Sequence, residues 1–266
     1  MDPIFLTVGD LEIRWYSALI LFAVFIAYGI ISVESRRFRY NNDKIFNLMF
    51  WSLIFGIIGA RLYYVAFNYE MYMDNPIDIL KVWEGGLAIH GGIIGGLLSV
   101  AVICKREKWK LFAVTDMICV PLLLAQAIGR WGNFFNMEAH GAATTVETLQ
   151  RFFVPEFVIK GVTINGITYV PTFYIESILC IIGFVVLMFL RRRKSTKIGT
   201  LTAICLMYYG IIRFFIEMSR TDSLMIGNFK AAQIVSVVMV IASIIMFMLS
   251  SQTGRFENLY NEHHGD

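Results

Sequence analysis

The stretch LFAVTDMICVPLLLAQAIGRWGNFFNME, residues 111–138, decides how the rest of the chain is read. Residues 111–129 are almost wholly apolar and, at about 1.5 Å of rise per residue, nearly long enough to cross a hydrocarbon core of about 30 Å. Gly129-Arg130-Trp131-Gly132-Asn133-Phe134-Phe135-Asn136-Met137-Glu138 then puts an arginine, two amides and a carboxylate where the hydrophobic run ends. Such groups are costly at membrane depth unless paired or occupied by a ligand, so their clustering marks a functional site.

Similar apolar runs recur along the chain. Hydrophobic residues make up 57% of the 266, charged residues 16%, and mean hydropathy is +0.64, which excludes an ordinary soluble domain. Seven spans fit, near 15–33, 46–67, 87–104, 111–129, 172–190, 198–216 and 231–250. This predicts an all-α integral membrane protein, a single membrane domain over 1–266. The first run lacks the basic flank and small-residue cleavage site of a signal peptide and reads as a retained anchor. Cys104, Cys119, Cys180 and Cys205 stand singly in or at the ends of apolar runs, which suits packing; no metal or organic cofactor is implied.

Loop charge predicts the orientation. Arg36, Arg37, Arg39 and Lys44 follow the first span, Lys105, Arg106, Lys108 and Lys110 the third, and Arg191, Arg192, Arg193, Lys194 and Lys197 the fifth. By the positive-inside rule these loops are cytoplasmic, with the N-terminus outside and the C-terminus inside. The connection at 139–171 then forms an extracytoplasmic head. It holds two β-rich runs, Phe157-Val158-Ile159 and Ile167-Thr168-Tyr169-Val170, with the turn pair Asn165-Gly166 before the second, so a short β-hairpin is expected. The polar tail, 251–266, is cytoplasmic by the same rule, and His263 and His264 read as solvated or disordered.

Counting helical rise from the basic loops places Arg61, His90, Arg213 and Glu176 about 22 to 26 Å above them, and Arg130, Tyr16 and Glu217 near 30 Å. Arginines from separate spans at one level suit an anionic ligand whose apolar part stays in lipid, such as a phospholipid, because a guanidinium fork matches phosphate. Against this stands a structural reading in which Arg61 and Arg213 pair with carboxylates or snorkel. Arg213, Glu217 and Arg220 share a helix face and form either an ion-pair ladder or an anion site, or both. Gly91, Gly92, Gly95 and Gly96 after His90 suit close helix packing, and His90 suits either a packing contact or proton abstraction. Asp116, with Pro121 in the same span, marks a kink or a structural polar contact. Glu176 either caps its helix or faces the site.

Three segments carry a resemblance: Trp83-Glu84-Gly85-Gly86-Leu87-Ala88-Ile89-His90-Gly91-Gly92; Gly129 to Glu138 with Gly141; and Tyr209-Gly210 through Arg213-Phe214-Phe215-Ile216-Glu217 to Arg220. They resemble the signature regions of the bacterial phosphatidylglycerol:prolipoprotein diacylglyceryl transferase family, and the similarity runs through nearly the whole chain, including Arg14-Trp15-Tyr16. The resemblance implies a seven-helix bundle in the bacterial cell membrane that moves the diacylglyceryl group of phosphatidylglycerol onto the lipobox cysteine of preprolipoprotein signal peptides, forming a thioether and releasing glycerol phosphate. The partners are those two substrates and the bilayer, not nucleic acid.

The resemblance assigns the essential histidine to His90, and signature positions to Arg130, Asn133, Glu138, Gly141, Tyr209, Arg213 and Glu217. On this reading Arg130 and Arg213 bind the phosphate, His90 is the candidate base with Tyr209 as the alternative, and Asn133, Glu138, Gly141, Glu217, Arg220, Tyr16 and Arg61 hold substrate. Trp131 stands where the family commonly has an aliphatic residue. Val170-Pro171-Thr172-Phe173-Tyr174-Ile175-Glu176 lacks the usual histidine and tyrosine, which weakens the case for a role there. The rival reading is a transporter or channel for an anionic solute. It calls for polar groups at the inner level too, where Asp116 stands almost alone.

Overall fold

The computed structural model describes residues 3–9, 11–73, 75–138, 140–221, 225–227, 229–252 and 258–261. His263 and His264 lie outside them. In chain order the elements are β1 (Ile4–Val8), β2 (Leu11–Arg14), α1 (Trp15–Arg37), α2 (Asn42–Phe67), α3 (Ile89–Glu107), α4 (Leu111–Phe135), β3 (Ala143–Thr144), α5 (Val146–Arg151), α6 (Glu156–Gly161), β4 (Thr163–Ile164), β5 (Ile167–Tyr169), α7 (Thr172–Leu190), α8 (Thr200–Ser219), β6 (Met225–Ile226), β7 (Phe229–Lys230) and α9 (Ala231–Gln252). Seven helices, α1 to α4 and α7 to α9, are long and apolar enough to cross a membrane. Large apolar side chains such as Phe25, Leu97 and Val238 stay more than half exposed on them, as expected of surfaces solvated by lipid. The chain is a multi-pass membrane protein, and it divides into two compact units.

Residues 32–114 form one unit, built on the close packing of α2 against α3. The glycines of α3 meet glycines of α2. A Cβ on Gly91 would stand 2.2 Å from the carbonyl oxygen of Gly59, and one on Gly95 would stand 2.2 Å from that of Phe55. These positions bring the two backbones together, which no larger residue permits. Three short 3-10 turns, Tyr69–Tyr72, Pro76–Leu80 and Val82–Glu84, connect the helices.

The other unit comprises residues 1–31 and 115–266. The N-terminal β1–β2 hairpin, which the sequence reading did not anticipate, leads into α1, and Trp15 stacks on Phe135 of α4 with ring centroids 4.6 Å apart. Asp116 proves to be a cap for another helix. Its Oδ2 accepts from the Gly199 N–H and its Oδ1 from the Thr202 N–H, each at 2.7 Å, with the Thr202 hydroxyl as a third donor. Gly199, the residue before α8, has no side chain with which to satisfy these helix-start donors, and the buried carboxylate of α4 supplies the acceptors. At the same end, the Tyr260 N–H donates to Thr196, and the Tyr260 side chain is fully buried.

The segment between α4 and α7 has a small core of Phe134, Leu149, Val158, Ile159, Val162 and Phe173. Trp131 joins it edge-on to Phe134, Phe173 and Tyr174 and stacked on Phe157. An indole at that position extends the aromatic seam between the α4 end and the segment above it. The expected hairpin is present: β4 and β5 flank Asn165 and Gly166, whose φ values of 51° and 81° suit a turn with both central residues left-handed, and β3 adds to the far edge of β5. Phe157-Val158-Ile159 is a correction, because it lies inside α6 and not in a strand. Pro155 before the helix, Glu156 in its first turn and the 2.9 Å Glu156–Lys160 pair favour a helix over the β preference of the apolar run.

Candidate functional site

Three helices of the larger unit bring four charges and a phenol together. Glu176, in the second turn of α7, is 1% exposed and divides its carboxylate between two arginines. Its Oε1 accepts from Arg130 Nη2 of α4 at 2.6 Å, and its Oε2 accepts from Arg213 Nη1 of α8 at 3.3 Å. Arg213 Nη2 lies 2.6 Å from Glu217 Oε2, a close ion pair off the hydrogen-bond axis. The Tyr209 hydroxyl, one helical turn before Arg213, donates to Glu176 Oε1 at 3.2 Å and accepts from Arg130 Nη2 at 3.3 Å.

Two guanidiniums against two carboxylates leave the cluster neutral, which is what permits its burial. The arginines nevertheless keep donors. Among the described residues, Nε and Nη1 of Arg130 and Nε of Arg213 meet no acceptor, and the two side chains are 20% and 15% exposed. Such donors, oriented by carboxylates behind them, suit a tetrahedral oxyanion arriving from the exposed side.

The end of α8 is fixed by a residue the sequence reading passed over. Lys230 Nζ on β7 donates to the carbonyl of Glu217 at 2.7 Å and to that of Arg220 at 2.8 Å, meeting the negative end of the helix. Arg220 is the residue that follows the helix, and its N–H donates to the Glu217 carbonyl at 3.3 Å. The helix ends at Ser219, Arg220 turns to extended backbone, and it makes a strand-like bridge to Gly141. Gly141 is closely packed, since a Cβ would lie 3.0 Å from the Ser219 carbonyl oxygen and 3.1 Å from side-chain atoms of Val170 and Thr172. Gly132 likewise admits Tyr16, whose ring would stand 2.4 Å from a Cβ there, so Tyr16 packs on the motif that carries Arg130. Asn133 is buried, one turn along from Arg130, and exposed Glu138 accepts from the Asn136 amide at 3.2 Å.

In the smaller unit, His90 lies in the first turn of α3, half-buried, its ring 6.1 Å from that of Tyr63. Arg61 of α2, 6% exposed, donates to four backbone carbonyls: Ile79 at 2.8 Å, Gly85 at 2.7 Å, Gly86 at 3.1 Å and Asp78 at 2.5 Å. Its guanidinium also lies 5.2 Å from the Tyr72 ring centroid, beside a cavity of about 240 Å³. The arginine marked for an anion thus holds the connection between α2 and α3 in shape.

Glu176, for which the sequence leaves a helix cap and the site both open, stands at the centre of the cluster, and Lys230 carries no mark in the sequence. For Glu176 a signal existed in its rise above Arg191, equal to that of His90 above Lys105. For Lys230 there was none, since its partners are backbone carbonyls.

Residues 3–249 match the family described as prolipoprotein diacylglyceryl transferase. The phosphatidylglycerol–prolipoprotein diacylglyceryl transferase of Staphylococcus saprophyticus is 40% identical over 250 residues, 94% of this chain and 89% of the relative. That of Staphylococcus carnosus is 41% identical over 249 residues, 93% and 90% of the two chains.

Proposed function

The chain belongs to the prolipoprotein diacylglyceryl transferase family, and from that premise we propose that the Arg130–Glu176–Arg213–Glu217 cluster is the phosphate site of its reaction. The protein transfers the diacylglyceryl group of phosphatidylglycerol to a prolipoprotein. The acceptor atom is the lipobox cysteine sulfur. As a thiolate it attacks the glycerol carbon that bears the phosphate; the C–S bond forms, the C–O bond breaks, and the electron pair leaves with glycerol phosphate. Negative charge therefore grows on phosphate oxygens in the transition state. Arg130 and Arg213 meet it with the donors that Glu176 and Glu217 leave unused.

The single observation that carries this reading is the bridging carboxylate. Glu176 holds one arginine on each oxygen, so both are positioned before substrate arrives and no reorganisation is needed as charge develops. A thiol of pKa about 8.5 needs a base or a positive field to ionise. The resemblance makes His90 the candidate base, with Tyr209 as an alternative orienter or proton carrier through its contacts to Glu176 and Arg130. Tyr16, Asn133, Glu138 and Gly141 serve the lipid headgroup or the elements that hold it; Arg61 acts by fixing its connection. The basic loops face the cytoplasm of the bacterial cell and the 139–171 head faces outward. The transport reading has no support in the family.

The test is to reconstitute the purified protein with phosphatidylglycerol and a lipobox peptide and to follow glycerol phosphate release together with peptide mass. Release matched by a diacylglyceryl mass gain, both absent when serine replaces the cysteine, is expected. Folded protein giving neither signal would overturn the reading.

A further inference from the structure

One small cavity lies at the far end of α4, where Asn133 and Glu138 meet the head. Its accessible space is about 10 Å³, roughly one water-sized group, and its walls include Phe134, Val162 and Phe173. Three polar side chains line it: Asn133, Glu138 and His140.

Two of these have hydrogen-bonding capacity that the protein does not use. His140 Nδ1 is shielded from solvent and has no partner among the described residues. Asn133 is 9% exposed, and its amide makes no hydrogen bond among them. Buried polar groups in folded proteins are nearly always satisfied, so the shielded His140 Nδ1 beside a cavity, with the free Asn133 amide across from it, calls for an occupant. The surroundings hold the imidazole in place. Its ring centroid is 5.0 Å from that of Tyr169 on β5, and its carbonyl accepts from the Thr221 hydroxyl at 3.4 Å, just past the end of α8.

A group that both donates and accepts, fits one water-sized space and sits between a carboxylate, an amide and an imidazole is a hydroxyl. Asn133 lies one helical turn from Arg130, at a rise of about 4.5 Å. This inference rests on the reading of Arg130 and Arg213 as the phosphate site, because a phosphate there carries its polyol beyond it, toward the end of α4. We propose that the cavity is a hydroxyl subsite for the leaving group, in which His140, with Asn133 and Glu138, hydrogen-bonds a hydroxyl of the departing glycerol phosphate. His140 is then a specificity-determining residue: it reads the polyol headgroup, whereas the arginines read the phosphate. A site that offers buried partners to a hydroxyl discriminates against the analogue that lacks it, because those partners are left unpaired.

The experiment compares phosphatidylglycerol with phosphatidylpropanol, which has the same phosphodiester and no headgroup hydroxyl, in the reconstituted full-length protein with a lipobox peptide. The readout is the ratio of kcat/KM for the two lipids. The wild type is expected to favour phosphatidylglycerol by about tenfold or more, and His140→Ala to reduce that preference by about fivefold, the range of one net hydrogen bond. His140→Asn, which keeps a donor and an acceptor, is expected to recover part of it. A wild type that treats the two lipids alike would overturn the proposal. So would a His140→Ala preference unchanged within about twofold, which would leave the cavity to a water, or equal loss on both lipids, which would make His140 a support of the head. Failure of the underlying phosphate reading has a different signature: Arg130→Lys and Arg213→Lys would turn over both lipids at the full rate.

Discussion

Arg61 and Arg130 are both shielded arginines on apolar helices, yet they are held in opposite ways. The partners of Arg61 are carbonyls of Ile79, Asp78, Gly85 and Gly86, neutral and contributed by one connection. Those of Arg130 are a carboxylate and a phenol on two other helices, and the same carboxylate holds Arg213. Carbonyl clamping uses four donors and organises backbone. Carboxylate pairing takes only one of Arg130's nitrogens, which leaves the others for a ligand. Which of the two an arginine does follows from what faces it, and neither its residue type nor its depth decides.

If the contrast is sound, the largest effect belongs to Glu176. Glu176→Ala strips both arginines of their shared partner, and breaking a buried pair typically costs about 3 to 5 kcal/mol. Thermal melting in detergent should fall markedly, and diacylglyceryl transfer should drop by about 10² to 10³ in variants that remain folded, since positioned charge of this kind contributes that much. Full activity in Glu176→Ala would break the comparison.

Arg61→Ala comes next. It exposes four carbonyls to loss of their donor, each worth about 1 to 3 kcal/mol if left buried, so stability and protease resistance of residues 68–86 should suffer more than the chemical step. Gly86→Ala should move in the same direction by less: Gly86 has φ of 66°, and a Cβ there would lie 2.5 Å from Arg61 Nη1. Asp116→Asn tests a third kind of buried charge, one that faces only N–H and O–H donors. Turning an amide NH₂ toward Gly199 or Thr202 should cost about 1 to 2 kcal/mol of melting stability.

The smallest effect is expected at Glu156, where Lys160 holds an exposed carboxyl below its usual range. The linked stability is present above the ordinary carboxylate pKa and is lost as pH falls through the lowered one. Because the pair is fully solvated, Glu156→Gln should leave the melting curve and its acid limb unchanged.

The helical spans and the Asn165-Gly166 hairpin were legible because their causes are local: apolar length, charge at the ends, and a turn pair suited to positive φ. The glycine stripe after His90 was legible for the same reason, although its counterpart, Gly59 and the Phe55 carbonyl on α2, was not. At Phe157-Val158-Ile159 the β preference of the run yields to Pro155, Glu156 and Lys160, which start a helix. The arginines of the site stood out as charges in apolar runs. Their arrangement did not, since the Glu176 bridge needs three helices to meet, and the roles of Arg61 and Lys230 depend on backbone carbonyls, which every residue carries.

The most direct measurement sets Arg130→Lys beside Arg61→Lys in proteoliposomes of phosphatidylglycerol, following glycerol phosphate release per folded protein. Lysine keeps the charge and loses the planar fork. The predicted result is a fall of about 10² or more for Arg130→Lys with a much smaller change for Arg61→Lys. Equal rates in the two variants, or the larger loss at Arg61, would contradict the assignment of phosphate binding to the carboxylate-held arginines.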